Sequence, residues 1–159
     1  MIKRTIAAVF FGIILSLNIE ASMISVYVIE TGLSQNTGKN RYSELCENAF
    51  MDVLFDSGYI VSNYPMLRLD IKPSSGIFEE AIFGIDEASG GGIDYIIVTQ
   101  LDYTPNSTTP EIISLFVIRT AGYQIIYEKQ ITEQIHMSDR EALNDFKTIA
   151  RGLVTFLTN

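Results

Sequence analysis

The chain has 159 residues, 47% of them apolar, and no Trp, enough for one domain with its own core and too little for two. Eleven Lys and Arg against nineteen Asp and Glu leave a net charge of −8, which argues against binding along a phosphate backbone and disfavours docking through a polybasic patch on anionic headgroups. A single Cys excludes an internal disulfide, and with a single His it excludes any familiar structural zinc site.

Residues 1–22 stand apart in composition. Lys3 and Arg4 form a positive start, and Ile6 to Leu17 is an apolar run broken only by Gly12 and Ser16. Asn18, Glu20 and the small residues Ala21 and Ser22 follow. This is the layout of a secretory signal peptide. The run is short for a bilayer span, which wants about twenty residues, although an uncleaved anchor is the alternative. With no Cys after the run, a lipoprotein signal is absent. The sequence thus predicts a signal peptide over 1–22 and one domain over 23–159, exported most simply to a bacterial periplasm, with no membrane span after cleavage.

Ser25–Glu30 is β-branched and aromatic and reads as a strand; residues 31–40 read as a polar loop. Across Tyr42–Asp56, steps of four (Leu45, Ala49, Val53 and Cys46, Phe50, Leu54) make one helical face, closed by Gly58. Tyr59–Tyr64 returns to strand composition before Pro65. Ile77, Phe78, Ala81, Ile82 and Ile85 repeat the helical stripe, and Ser89–Gly92 breaks it.

Tyr95–Tyr103 is a strong strand. Glu111–Thr120 and Tyr123–Thr132 flank Ala121-Gly122, a two-residue hairpin signal. The first of the pair has two apolar faces, Ile113, Leu115 and Val117 against Ile112, Phe116 and Ile118; a strand of this kind is covered on both sides, by helices or by a partner. In the second, Tyr123, Ile125 and Tyr127 fall on one face. Ser138 and Glu141 have capping-box spacing ahead of a stripe from Ala142 to Leu157. The order β-α-β-α-β-β-β-α predicts an α/β fold, a mixed sheet of about five strands with three helices.

Chemistry is not legible in these motifs. The glycines 90–92 follow a helix and open a strand, the reverse of a phosphate loop. Cys46 lies on an apolar stripe as a small hydrophobe; His136, the only available base, sits in a loop with no partner signature. Glu79/Glu80 and Asp86/Glu87 read as a solvated helix face. No nucleophile elbow or calcium loop is present, and no cofactor is indicated.

Several segments resemble a family of bacterial envelope domains that includes the N-terminal domain of TolB, CsgG, FlgO and the lipoprotein activators of penicillin-binding proteins. Ser25–Glu30 with Thr31-Gly32-Leu33-Ser34 is similar to the family's first strand and loop. Leu54-Phe55-Asp56-Ser57-Gly58 resembles its "L-x-x-S-G" turn, and Gly92-Ile93-Asp94-Tyr95-Ile96-Ile97-Val98-Thr99 its "G-A-D-Y-V-L-x-G" strand. Gly122 and Tyr127 fall in the region of its last hairpin. The resemblance covers roughly residues 24–157.

It implies a non-enzymatic periplasmic scaffold or adaptor, part of a flagellar or outer-membrane assembly. Its partners are other envelope proteins or copies of itself, not nucleic acid. Tyr buries much area at little rotamer cost, so Tyr103, Tyr123 and Tyr127 are the candidate interface residues. A small-ligand-binding protein is the alternative, with a closed apolar pocket; an unrecognised hydrolase is the third reading.

Overall fold

The computed structural model describes residues 21–32, 41–65, 67–69, 88, 90–104 and 107–158. Most of the expected signal peptide lies outside them, as does the expected second helix with Glu79, Glu80, Asp86 and Glu87. Among the described residues the order is β1 (Met23–Thr31), α1 (Arg41–Asp56), β2 (Ile60–Asn63), β3 (Leu67–Leu69), β4 (Tyr95–Asp102), β5 (Ile112–Arg119), β6 (Gln124–Ile131) and α2 (Asp139–Leu157). None of the described helices is long and apolar enough to cross a membrane.

One mixed sheet carries all six strands in the order β2-β1-β4-β5-β6, with β3 also on β1. β1 pairs in parallel with β2, β3 and β4; β4–β5 and β5–β6 are antiparallel. The sixth strand arises because the edge beyond β1 is broken. Ile60–Asn63 pairs with Met23–Val26, and Leu67–Leu69 resumes against Ile29–Thr31. Pro65 lies in the gap, where a residue without an N–H cannot continue a ladder.

α1 and α2 pack together on one face of the sheet. Cys46, Phe50, Leu54, Ala142, Phe146, Ala150 and Leu153 close over Ile24, Val26, Val28, Ile97, Leu101, Ile113, Leu115 and Val117. Gly58 ends α1 as expected, with a left-handed φ of +89°. Ser138 caps α2 as expected: the Glu141 N–H donates to Ser138 Oγ at 3.3 Å, while the Glu141 carboxylate accepts from the Ser138 hydroxyl. Lys147 ties the helices through Asp52 at 2.9 Å.

The opposite face buries Ile29, Ile96, Val98, Phe116 and Ile118 with Ala88. The two apolar faces read in β5 are thus both covered within the chain. The β5–β6 connection differs from the expected two-residue turn. Arg119 pairs with Gln124, so residues 120–123 form the loop, with left-handed φ at Gly122 and Tyr123.

A bulge in β6 overturns the expected face of Tyr123, Ile125 and Tyr127. Val117 pairs with Tyr127 and Ile118 with Ile125, leaving Ile126 as the extra residue. One inserted residue reverses the alternation beyond it. Tyr127 therefore shares the helix-covered face with Val117, Ile125 lies on the other face with Ile118, and Tyr123 sits in the turn.

Candidate functional site

The densest polar chemistry lies where the parallel strands β1 and β4 end side by side, the place where open α/β sheets commonly bind ligands. Glu30, fully buried, accepts from Ser43 of α1 and from Arg68 Nε and Nη2, both at 2.8 Å. Glu30 and Arg68 are register partners across β1 and β3. One row further, Asp102 accepts from the Thr31 hydroxyl and from the Gln100 amide. Thr31, Gln100 and Asp102 are all buried.

Gly32 seals this end of the sheet. Its φ is +82°, and a Cβ placed on it would lie 2.1 Å from the Tyr103 carbonyl oxygen. The Tyr103 N–H in turn donates to Thr31 O at 2.9 Å. The cluster is therefore closed by backbone, and its carboxylates are held by neighbouring donors. It ties β3, β1 and β4 together, and among the described residues it leaves Glu30 and Asp102 buried.

The three tyrosines do not come together. Tyr103 is 5% exposed in the core, and its hydroxyl has no hydrogen-bond partner of good geometry among the described residues. Burial and the Glu30 charge push its pKa up, while nearby Ser43 pulls the other way. As part of the core, Tyr103 is withdrawn from the surface the interface reading assigned it. Tyr123 is 54% exposed at the hairpin tip, in a backbone conformation unusual for a large side chain. Tyr127 is half-buried, its ring 4.7 Å from that of Phe156 on α2.

Cys46 is buried on α1, and burial pushes its thiol well above the ordinary range, the reverse of an activated nucleophile. His136 is engaged by a carboxylate: its Nδ1 lies 2.8 Å from Asp145 Oδ2, and the same oxygen accepts its backbone N–H at 3.0 Å. That hydrogen bond, with the charge of Asp145, raises the imidazole pKa. Arg41 braces the same segment, donating to Met137 O and pairing with Asp139 at 3.3 Å. Among the described residues no cluster of His, Cys, Asp and Glu has the makings of a metal site.

Sequence reasoning missed two surface features. Glu44, Glu47 and Asn48 of α1 and Asn63, Tyr64 and Arg68 of the broken edge line an open groove of about 640 Å³. It is open and mixed in character, with charged and amide side chains beside Tyr64 and Pro65, unlike the closed apolar pocket that a ligand-binding protein was expected to show. The second feature is where the large apolar side chains are exposed. Phe55 and Ile60 flank the turn into β2, while Tyr123, Ile125 and Phe156 lie at the β6 side; Met137 stands apart before α2.

No known protein family and no curated protein matches the chain. Solved structures do. A point variant of the PelC dodecamer from Paraburkholderia phytofirmans matches over 82% of this chain and 84% of its own, with 13% identity and a TM-score of 0.50. The LpoB C-terminal domain from Salmonella enterica matches over 78% and 91%, with 13% identity and a TM-score of 0.46. TolB from Acinetobacter baumannii matches over 84% of this chain and 28% of its own, with 12% identity and a TM-score of 0.47. At such identities the likeness is one of fold, and it rests on the first of the three.

Proposed function

We propose that this chain is a non-enzymatic interaction module of the bacterial envelope, exported to the periplasm, that docks onto other envelope proteins or copies of itself. The observation that supports it is a division of labour in the molecule. Among the described residues the carboxylates of Glu30 and Asp102 are buried and held by neighbouring donors, burial pushes the Cys46 thiol up, and the exposed His136 is engaged by Asp145. Five of the six exposed large apolar side chains among the described residues gather at the two edges of the sheet. Apolar residues beside strand edges suit protein partners. The likeness of fold to a dodecameric protein agrees with a role in assembly.

Capture of the tagged, exported chain from crosslinked cells, with mass spectrometry of what it retains, tests this reading. Outer-membrane or flagellar components recovered in fixed ratio would name the machine. Recovery of no envelope protein and no second copy would overturn the proposal. The groove at Arg68 favours a second reading, capture of a small polar ligand; a thermal-shift screen in which an Arg68→Ala variant loses a ligand's stabilisation would establish it.

A further inference from the structure

Among the described residues, the two edges of the sheet match each other in a way the interior strands do not. From the row through Ser25 to the row through Ile29, β1 advances four residues; β4 does the same from Ile96 to Gln100, and β5 from Ile118 to Ser114. Between the same two rows the β2–β3 edge advances five, from Ser62 to Leu67. β6 also advances five, from Ile125 to Gln130, because of its bulge. Each edge thus carries one surplus residue between these two rows, in β6 between the rows of Ser25 and Val26 and in the β2–β3 edge between the rows of Val26 and Ile29. β6 also runs in the same direction as β2 and β3, since two antiparallel steps separate it from β4.

We propose that copies of this chain join head to tail, with β6 of one lying parallel to the β2–β3 edge of the next and extending the sheet across the contact. This rests on the interaction-module reading and names its partner as a second copy. The shared surplus keeps the two edges in step, so that Ile125 comes beside the neighbour's Ser62 and Gln130 beside its Leu67. Ladder pairing is confined to β2 and β3, because Pro65 supplies no N–H between them.

The charges agree with this docking. Lys129 is exposed and pairs with Leu115, which places it on the helix-covered face. Its row passes through Val28, level with the break in the neighbour's edge. The groove above that break presents Glu44 and Glu47. Head-to-tail docking brings the ammonium to these carboxylates, and it brings Tyr123 and Ile125 toward the side carrying Ile60. Such a contact is heterologous: each copy uses both edges once, and the assembly closes as a ring or grows as a filament.

Ser62→Cys and Ile125→Cys, made singly, test the geometry; buried Cys46 stays out of the chemistry. On mild oxidation the mixture of the two single variants should give a covalent dimer, each alone should give none, and the double variant should give a ladder. Lys129→Glu should weaken association at least about tenfold in sedimentation, and Glu47→Lys added to it should restore part of the loss. A Ile125→Cys variant that crosslinks to itself would mean a two-fold contact and overturn the proposal. So would a wild-type chain that stays monomeric at about 100 µM, a concentration at which even weak specific contacts populate. A monomer that still captures other envelope proteins would retain the interaction-module reading and remove this one.

Discussion

Replacing Gly32 with Ala tests whether the ends of β1 and β4 are sealed by backbone contact. The added Cβ meets two obstacles: the left-handed φ of +82°, and the Tyr103 carbonyl oxygen 2.1 Å away, with its carbon at 3.2 Å. Left-handed backbone costs a non-glycine residue about 1–2 kcal/mol. Forcing apart a packed site adds about 1–3 kcal/mol, because the obstacle is a carbonyl fixed in the sheet and not the end of a flexible side chain. Gly122 isolates the first contribution, since its φ is +84° and its added Cβ would meet nothing within 4 Å.

In urea titrations followed by circular dichroism, Gly122→Ala should cost about 1–2 kcal/mol and Gly32→Ala about 2–5 kcal/mol. At roughly 3–5 °C per kcal/mol for a domain of this size, the two melting points should be well resolved. Equal losses for the two variants would refute the close approach of Gly32 to Tyr103, and with it the closed polar cluster at the strand ends.

Arg68→Ala leaves the buried Glu30 carboxylate with Ser43 alone, and should cost about 2–4 kcal/mol in the same titrations. That is below a fully buried pair, because the Arg68 side chain is 34% exposed; a loss under about 0.5 kcal/mol would show the pair to be incidental. Tyr123→Gly relieves a left-handed φ of 54° and should raise stability by about 0.5–1 kcal/mol, part of the gain being offset by a freer unfolded chain; an unchanged or lower midpoint would contradict this. Cys46 should resist a thiol reagent in the native protein and react once in denaturant, whereas fast native labelling would show an accessible thiol. The His136–Asp145 contact raises the imidazole pKa, so its stabilisation is fully present below the ordinary value near 6.5 and is lost as pH rises through the folded value. The wild type should therefore lose its advantage over Asp145→Asn on going from about pH 5.5 to pH 8.5, and a constant difference between the two melting curves would count against it.

Local rules made much of the fold legible. Steps of four placed Cys46, Ala49, Phe50, Val53 and Leu54 on one buried face, and Ser138 with Glu141 marked the start of α2. Alternation in β5 told that the strand would be covered twice. What escaped was set by partners far along the chain. Glu30, Gln100 and Asp102 fall in two apolar strands and Thr31 in what reads as a loop, and only the pairing of β1 with β4 brings them together. The bulge at Ile126 carries no turn residue to announce it, so a period of two runs straight through it and puts Tyr127 on the wrong face. Tyr103 shows the limit of residue type: an aromatic at a strand end serves an interface or a core equally well, and the neighbouring Gly32 and Ser43 decide.

The placement of β1 inside the sheet, between the β2–β3 edge and β4, has a consequence for how the protein is made. β4, β5 and β6 are joined by short connections and can assemble as soon as they emerge, because nearby segments close loops at little entropic cost. β1 appears first, yet its Thr31 meets Asp102 only 71 residues later. During that wait a strand whose valines and isoleucines end up wholly covered stands open to any other chain in the same condition. A cell that crowds these chains, or slows synthesis between β1 and β4, should lose them to aggregation before their folded stability is ever at issue.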